Sequence, residues 1–456
     1  MKAFSLGFSA WLLLSLLWIP ILRSEKPPQL ADLQGGLVVQ VGAEKTDVAV
    51  RLSHTGRYLV HLVDLDSSVT EKATKSLRTK GTYGLAFAET LQDFNHLPYA
   101  ENMVNAVILQ SPGKVPLAEV HRILTPGGVL QIAPGIGIGE AHLKAAGFDT
   151  IKRAKDESFN CRKPWPKNMD DWSHPRHAAN GNAVSGDTAV GPPERVRWVA
   201  AATSEVEGLV TAGGRNFYGG ILARDSFNGL RLWHRDLLKS KLNEPSFNLP
   251  RLSYSRARPV VSGKYIFAAG KGKLVALDAA TGEIAREYPG IGEPDEVIHH
   301  NDIVIAIDEN HIRAFSSETA EELWERESSD PRNLTAENET VCFIRGRPKR
   351  GEPSEAIAVD LNTGKVKWQA SHFSWMNKVY RTVMHGEHVA FEVSTLNDHD
   401  AGNGIHVLSA KTGKLAWEKD FPPGMNHTRQ ARAMFAGDDI WILHGGKQNT
   451  ATKEGT

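Results

Sequence analysis

The chain has 456 residues, more than a single domain ordinarily takes. Its 53 basic and 53 acidic residues balance, so no net field draws it to a polyanion, and a nucleic-acid partner is not expected. With 41 Gly and 23 Pro it can turn often, as an all-β half requires, and its two cysteines form no Cys-x-x-Cys pair, which argues against a cysteine zinc site or a covalently attached c-type haem.

Met1-Lys2 precedes an apolar run from Ala3 to Leu22, closed by Arg23. This reads as an export signal over residues 1–24, or as a retained N-terminal membrane anchor, since the run is just long enough to span a bilayer. Either reading puts the remainder outside the cytoplasm, in the periplasm or cell envelope. Cys161 and Cys342 then read as a disulfide or as two separate buried thiols.

From 30 to 151 strand and helix signals alternate. Leu37–Val41, Tyr58–Val63, Ala106–Leu109 and Val129–Ala133 are apolar runs of strand length, and Asp47–Leu52, Ser67–Leu77 and Pro116–Leu124 suit helices, the second capped by Ser67. Such alternation predicts a parallel α/β sheet. Within it Leu117-Ala118-Glu119-Val120-His121-Arg122-Ile123-Leu124-Thr125-Pro126-Gly127-Gly128-Val129-Leu130 resembles the E-x-x-R-x-L-K-P-G-G-x-L stretch of class I S-adenosylmethionine-dependent methyltransferases. Leu97-Pro98-Tyr99 with Asn105-Ala106-Val107 resembles the L-P-F and F-D-x-V stretch of that family. The resemblance implies a Rossmann-like fold, S-adenosylmethionine as cofactor, and cofactor contacts at Gly42 in the first loop and at Asp64, where the family's acidic residue accepts the ribose hydroxyls. The first loop, Val41-Gly42-Ala43-Glu44-Lys45-Thr46, has one glycine where bare backbone is needed, and Asn105 stands at the family's Asp position. A degenerate, non-catalytic domain is therefore expected; an active methyltransferase is the alternative.

Residues 159–194 read as a linker and lead-in. Lys163-Pro164-Trp165-Pro166 is stiff, and Asp170-Asp171-Trp172-Ser173-His174-Pro175-Arg176-His177-Ala178-Ala179-Asn180-Gly181-Asn182-Ala183-Val184 resembles the D-W-T-H, H-D, N-A-V lead-in of large exported bacterial propeller proteins. His174 and His177 tempt as metal ligands, but Pro175 interrupts any helix face and no third ligand is evident. No metal is expected; both imidazoles are read as bonding local backbone.

From 195 to 456 a hairpin unit recurs. Asp225–Trp233, Leu274–Ile284, Ile312–Trp324, Ala356–Gln369 and Ile405–Trp417 each place alternating strands about a turn at Gly229, Gly282, Ala320, Gly364 or Gly413. Trp233, Trp324, Trp368 and Trp417 follow those turns at one fixed spacing, Arg286 replacing the tryptophan in the second unit. A repeat with steps of 53, 38, 44 and 49 residues between those turns, and a second apolar pair upstream, predicts four-stranded propeller blades. The unit resembles the pyrroloquinoline-quinone-type repeat of quinoprotein alcohol dehydrogenases and of the exported propeller that assists outer-membrane β-barrel assembly. An incomplete or about six-bladed ring is expected, a strand from Arg195 to Ala201 being one way to complete it. Pyrroloquinoline quinone is not expected, because the adjacent cysteine pair of the dehydrogenases is missing. Asp278 and Asp360 read as turn residues, and His299-His300, Arg251, Arg256 and Arg258 could line a channel mouth or be solvated. The functional expectation is an exported envelope protein whose propeller binds a protein or glycan partner. The alternatives are a methyltransferase and, third, a quinone-dependent oxidoreductase.

Overall fold

The computed structural model describes residues 30, 33–111, 115–192, 196–200, 209–218, 222–235, 257–270, 272–348, 351–393, 403–421 and 431–443. The expected export segment lies outside these residues, and among them no helix is long and apolar enough to cross a membrane.

The first body is one seven-stranded sheet. Its strands are β1 (Gly36–Val41), β2 (Tyr58–Asp64), β3 (Ala86–Thr90), β4 (Val104–Leu109), β5 (Leu124–Ile132), β6 (Asp149–Arg153) and β7 (Phe159–Arg162), in the order β3-β2-β1-β4-β5-β7-β6. Helices α1 (Asp47–His54), α2 (Ser67–Thr79), α3 (Leu117–Ile123) and α4 (Glu140–Ala145) connect them. β1, β2 and β4 are apolar on both faces, and a separate core packs on each side of the sheet, as a buried parallel sheet demands.

Three expectations need correction. The sheet is not wholly parallel, since β7 runs antiparallel to β5 and to β6. It also continues past Ile151 to Arg162; β6 reads Asp-Thr-Ile-Lys-Arg and lies mostly exposed at the edge, so it carried no apolar signal. The cap of α2 is Asp66, whose carboxylate accepts the Ser68 amide at 2.8 Å, because that residue and not Ser67 keeps the extended backbone a cap requires.

The second body is built of six sheets. Blades 1 to 5 occupy residues 210–234, 260–288, 296–327, 332–370 and 379–421 and are four-stranded; residues 432–443 form a two-stranded blade 6. Their innermost strands are Val210–Ala212, Val260–Ser262, Glu296–His300, Arg332–Glu337, Val379–His385 and Arg432–Ala436. Each of the five expected hairpins is the third and fourth strand of a blade. Residues 196–200 carry no strand, and Arg195 and Ala201 fall outside the described residues.

The tryptophan pattern has a mechanism. Trp233, Trp324 and Trp368 each lie over the turn of the following blade, where a Cβ on Gly282, Gly364 or Gly413 would come within 2.5–2.7 Å of the indole. Each indole N–H also donates to a turn carbonyl, that of Ala279 (3.1 Å), Leu361 (2.8 Å) or Ala410 (2.7 Å). Trp198 treats blade 1 in the same way, over Gly229 and onto the Ser226 carbonyl. Where Arg286 replaces the tryptophan, its Nη1 donates to the equivalent Ser317 carbonyl at 2.9 Å, and the turn it covers has Ala320 in place of glycine, at φ +60°. A slender guanidinium leaves room for the methyl that an indole would exclude.

The two bodies meet at blade 1. Asn105 on β4 donates to Asp225 Oδ2 (2.7 Å) and accepts from the Leu37 amide (2.8 Å) and Asn228 Nδ2 (2.9 Å). An amide can donate to the carboxylate and accept from two N–H groups at once; a second carboxylate there could not.

Candidate functional site

Two places could carry function: the cleft at the ends of β1 and β2, and the axis of the propeller. In an open α/β sheet a ligand lies at the carboxyl ends of the strands, where the strand order reverses. Here that is between β1 and β4.

Gly42 follows β1 with φ +94°, but a Cβ there would lie 2.7 Å from the Cβ of Ser111, just past β4. The backbones that follow β1 and β4 thus approach each other closely at this point. The loop beyond is tied down from two sides. Buried Gln40 donates through Nε2 to the carbonyls of Gly42 and Lys45, both at 2.8 Å. Asp64 accepts the Ala43 amide at Oδ2 (2.9 Å) and the Leu65 and Asp66 amides at Oδ1 (2.8 and 3.2 Å). Glu44 and Lys45 are exposed. The structure brings Gly42 and Asp64 to one place, as expected, but the carboxylate meant for ribose hydroxyls serves three backbone amides. These residues do not fit S-adenosylmethionine.

The family-like stretches are joined by a clamp. Glu119, 7% exposed, accepts from the Leu97 amide (2.7 Å) and from Arg122, whose Nη2 donates also to the Tyr99 carbonyl (2.9 Å). The Arg122 guanidinium holds the Glu119 carboxyl below the usual range. Both side chains are spent on fixing Leu97-Pro98-Tyr99.

The propeller axis is organised by the lead-in. Asp170 Oδ2 accepts from His177 Nε2 (2.7 Å), Ser185 Oγ (3.0 Å) and the Gly186 amide (2.7 Å), and the Thr188 amide donates to the Asn168 carbonyl (3.0 Å), closing residues 168–188 into a loop. This loop takes one N–H from the innermost strand of every blade. Thr211 donates to the Trp172 carbonyl (2.8 Å), Val261 to that of Ser173 (2.9 Å), Ala336 to that of Ala179 (3.0 Å) and Met384 to that of Asn180 (2.8 Å). His299 donates to His174 Nε2 (3.1 Å), and Phe435 to Asn182 Oδ1 (3.0 Å). The six donors are equivalent, each standing two residues before Gly213, Gly263, Asn301, Asn338, Gly386 or Gly437 in the turn that ends its strand. Innermost strands are sheet edges with N–H groups to satisfy, and the loop is a hub that satisfies one per blade.

Accepting from a backbone N–H fixes His174 with its proton on Nδ1, which donates to Ser173 Oγ (2.8 Å); Ser173 in turn donates to the His177 carbonyl (3.1 Å). Burial, with the positive potential of His299, His300 and His177, pushes the His174 imidazole down to about 3. No group of three or more metal-ligating side chains occurs among the described residues.

Against the hub lies a cavity of about 270 Å³, walled by the innermost strands of blades 3 to 5 and by Arg258, just before that of blade 2. Arg176, Arg258 and Arg381 line it, with Asp295, Glu296 and Thr382. Arg381 and Arg432 both reach Glu392 Oε2 at 3.3 Å, and the Ala433 amide takes Oε1. Arg176 donates to the Gly181 carbonyl (2.8 Å). Its charge is disfavoured first by burial and then by Arg381. Glu296 is engaged by the Asn333 and Leu334 amides. Among the described residues three guanidinium groups line the cavity against the two carboxylates of Asp295 and Glu296, a balance that favours an anion. Arg258 was singled out in the sequence, and His299 supports the hub; Arg251 and Arg256 lie outside the described residues. Arg176, Arg381 and Glu392 gave no sequence signal, because they converge only when blade 5 meets the hub. Cys161 and Cys342 are both free and buried, and burial pushes each thiol up to about 12.

No curated protein matches the chain. A solved structure of BamB from Moraxella catarrhalis is similar over 52% of this chain and 68% of its own, at 15% identity and TM-score 0.35. An S-adenosylmethionine-dependent methyltransferase of Aquifex aeolicus matches 29% of this chain and 84% of its own, at 18% identity and TM-score 0.25. Geranyl diphosphate C-methyltransferase of Streptomyces coelicolor A3(2) matches 26% of this chain and 57% of its own, at 14% identity and TM-score 0.23. A sequence profile described as outer membrane protein assembly factor BamB matches residues 171–326 and 308–453, more than half of the chain. The protein belongs to that family.

Proposed function

We propose that the protein is an exported cell-envelope protein whose propeller binds a protein or glycan partner, and whose first body is a degenerate methyltransferase-like unit kept for packing. Export is supported by the apolar run from Ala3 to Leu22 and by the family, that of an outer membrane protein assembly factor. The observation that carries the non-catalytic half is Asp64, whose two carboxylate oxygens already receive three loop amides. The methyltransferase alternative would need Asp64 and Glu119, and both are engaged in holding backbone. The quinone reading lacks the paired cysteines under which that cofactor sits, since Cys161 and Cys342 lie in different bodies.

Calorimetry of the full chain with millimolar S-adenosylmethionine tests the first half. No heat is expected, and binding that Asp64→Asn abolishes would overturn it. For the second half, the tagged chain is used to capture partners from envelope extract. Retention of a partner that Arg381→Glu releases is expected; an empty eluate counts against it.

A further inference from the structure

The hub donors mark one level in every blade, so residues at a fixed distance before them can be compared. Three residues back from Val261, His299, Ala336, Met384 and Phe435 stand Arg258, Glu296, Asn333, Arg381 and Arg432. The first four of these line the cavity against the hub, and Arg176 of the hub lines it with them. Two residues back stand Pro259, Val297, Leu334, Thr382 and Ala433. Blade 5 puts a hydroxyl where the other four are apolar.

The fold does not use up these polar groups. Thr382 lines the cavity and is 2% exposed, and its Oγ1 has no hydrogen-bond partner among the described residues. A buried hydroxyl without a partner is costly, and one that faces a cavity points to a ligand. Arg176 gives its Nε to the Gly181 carbonyl; among the described residues its two Nη groups donate to nothing. Burial first, and then the charge of Arg381, disfavours the charge on Arg176. An anion between the two guanidinium groups relieves the second cost. Arg381 shares Glu392 with Arg432, each at 3.3 Å, and Arg258 is exposed with no ion pair among the described residues. Glu296 turns Oε1 to the Asn333 amide (2.9 Å) and Oε2 to the Leu334 amide (2.8 Å), away from any arginine of the cavity.

Size and charge say what fits. A cavity of about 270 Å³ has room for roughly nine waters, and so for an acid of about ten non-hydrogen atoms. Pro175, Ala178, Val297 and Leu334 make part of the wall apolar. With Arg176, Arg258 and Arg381 set against Asp295 and Glu296, one negative charge completes the balance and two overshoot it. A carboxylate is also the planar anion that a guanidinium fork receives best. We infer that this cavity is a binding site for a small organic monocarboxylate, its carboxylate held by Arg176, Arg381 and the Thr382 hydroxyl and its apolar body laid against the hub. The site goes beyond partner binding, since it takes a free small molecule at the axis.

The test is calorimetry of the full chain with benzoate, its neutral analogue benzamide, and inorganic phosphate. Saturable binding of benzoate in the millimolar range or tighter is expected, at least tenfold tighter than either of the others. Thr382→Val should weaken benzoate at least threefold without lowering the thermal midpoint, because the hydroxyl bonds nothing in the protein itself; a structural role would lower it. Arg176→Gln should weaken benzoate at least tenfold and leave benzamide unchanged, while the hub-bonded amides of blades 1 to 6 keep their exchange protection. Equal affinity for benzoate and benzamide, no heat at tens of millimolar benzoate, or full binding by both variants overturns the inference. So does tighter binding of phosphate, which would make the site one for a dianion. Neither variant touches Arg381, so these results stand apart from the capture of a partner from extract.

Discussion

Asn105 decides more than its size suggests. Its amide donates to Asp225 while accepting from Leu37 and Asn228, so it bonds the sheet to blade 1. Asn105→Asp sets two carboxylates at hydrogen-bond distance in a buried place and should cost about 2–4 kcal/mol, measured as a shift in urea midpoint. Adding Asp225→Asn should recover part of that loss. His174 makes a second prediction. Its proton affinity is depressed in the folded state, so the unfolded chain binds the proton more readily. Stability tied to it is complete above its ordinary value of 6.5 and is lost as pH falls from there toward about 3. His299, pushed down to about 4 chiefly by burial, acts in the same direction. His174→Gln keeps an acceptor for the His299 amide without titrating, and should lower the loss of stability between pH 7 and pH 4 by about 1 kcal/mol per pH unit. The departure at Asn105 is visible in the sequence; its reason is not, since Asp225 lies 120 positions away.

Among elements, the outer hairpins are the most predictable. Gly364→Ala combines a left-handed φ of +65° with a methyl 2.7 Å from the Trp324 indole, and should cost about 2–4 kcal/mol by thermal or urea unfolding. Ala320→Gly should cost nothing or stabilise by about 1 kcal/mol, because the turn under Arg286 keeps an alanine at φ +60°. Equal losses at both sites would contradict the account of the tryptophan cover. These hairpins were legible because strand, turn and tryptophan all lie within about a dozen residues, where alternation and turn chemistry are local. β3 and β6 were not legible. Both lie on the outer part of the sheet, bury little, and so keep polar residues that erase the period. The first strands of the blades, three to seven residues long, lack alternation for a different reason: they face the hub on one side and their own blade on the other.

For the whole molecule the decisive object is the loop of residues 168–188. Its sequence was recognisable as a motif whose two histidines were read as bonding local backbone; instead His174 accepts from the His299 amide of blade 3 and His177 bonds the Asp170 carboxylate. Only the meeting of six strands showed what each polar group is for. Asn182 both donates to the Phe435 carbonyl (2.9 Å) and accepts its amide, and so is the hub's link to blade 6, which Glu392 also holds through Arg432 and Ala433. Asn182→Ala should therefore speed hydrogen exchange in residues 432–443 at least tenfold while blades 1 to 4 keep their protection. Uniform loss across all blades would mean that the ring unfolds as one unit. The hub also imposes a calendar on biogenesis. It precedes every strand it gathers, its nearest link spanning 39 residues and its farthest 253. A nascent chain threaded through a narrow conduit thus delivers the fastener first and the last thing to be fastened at the end. Until then acceptors such as Asn182 stay unmet, which makes the half-delivered chain a natural client for a holding chaperone.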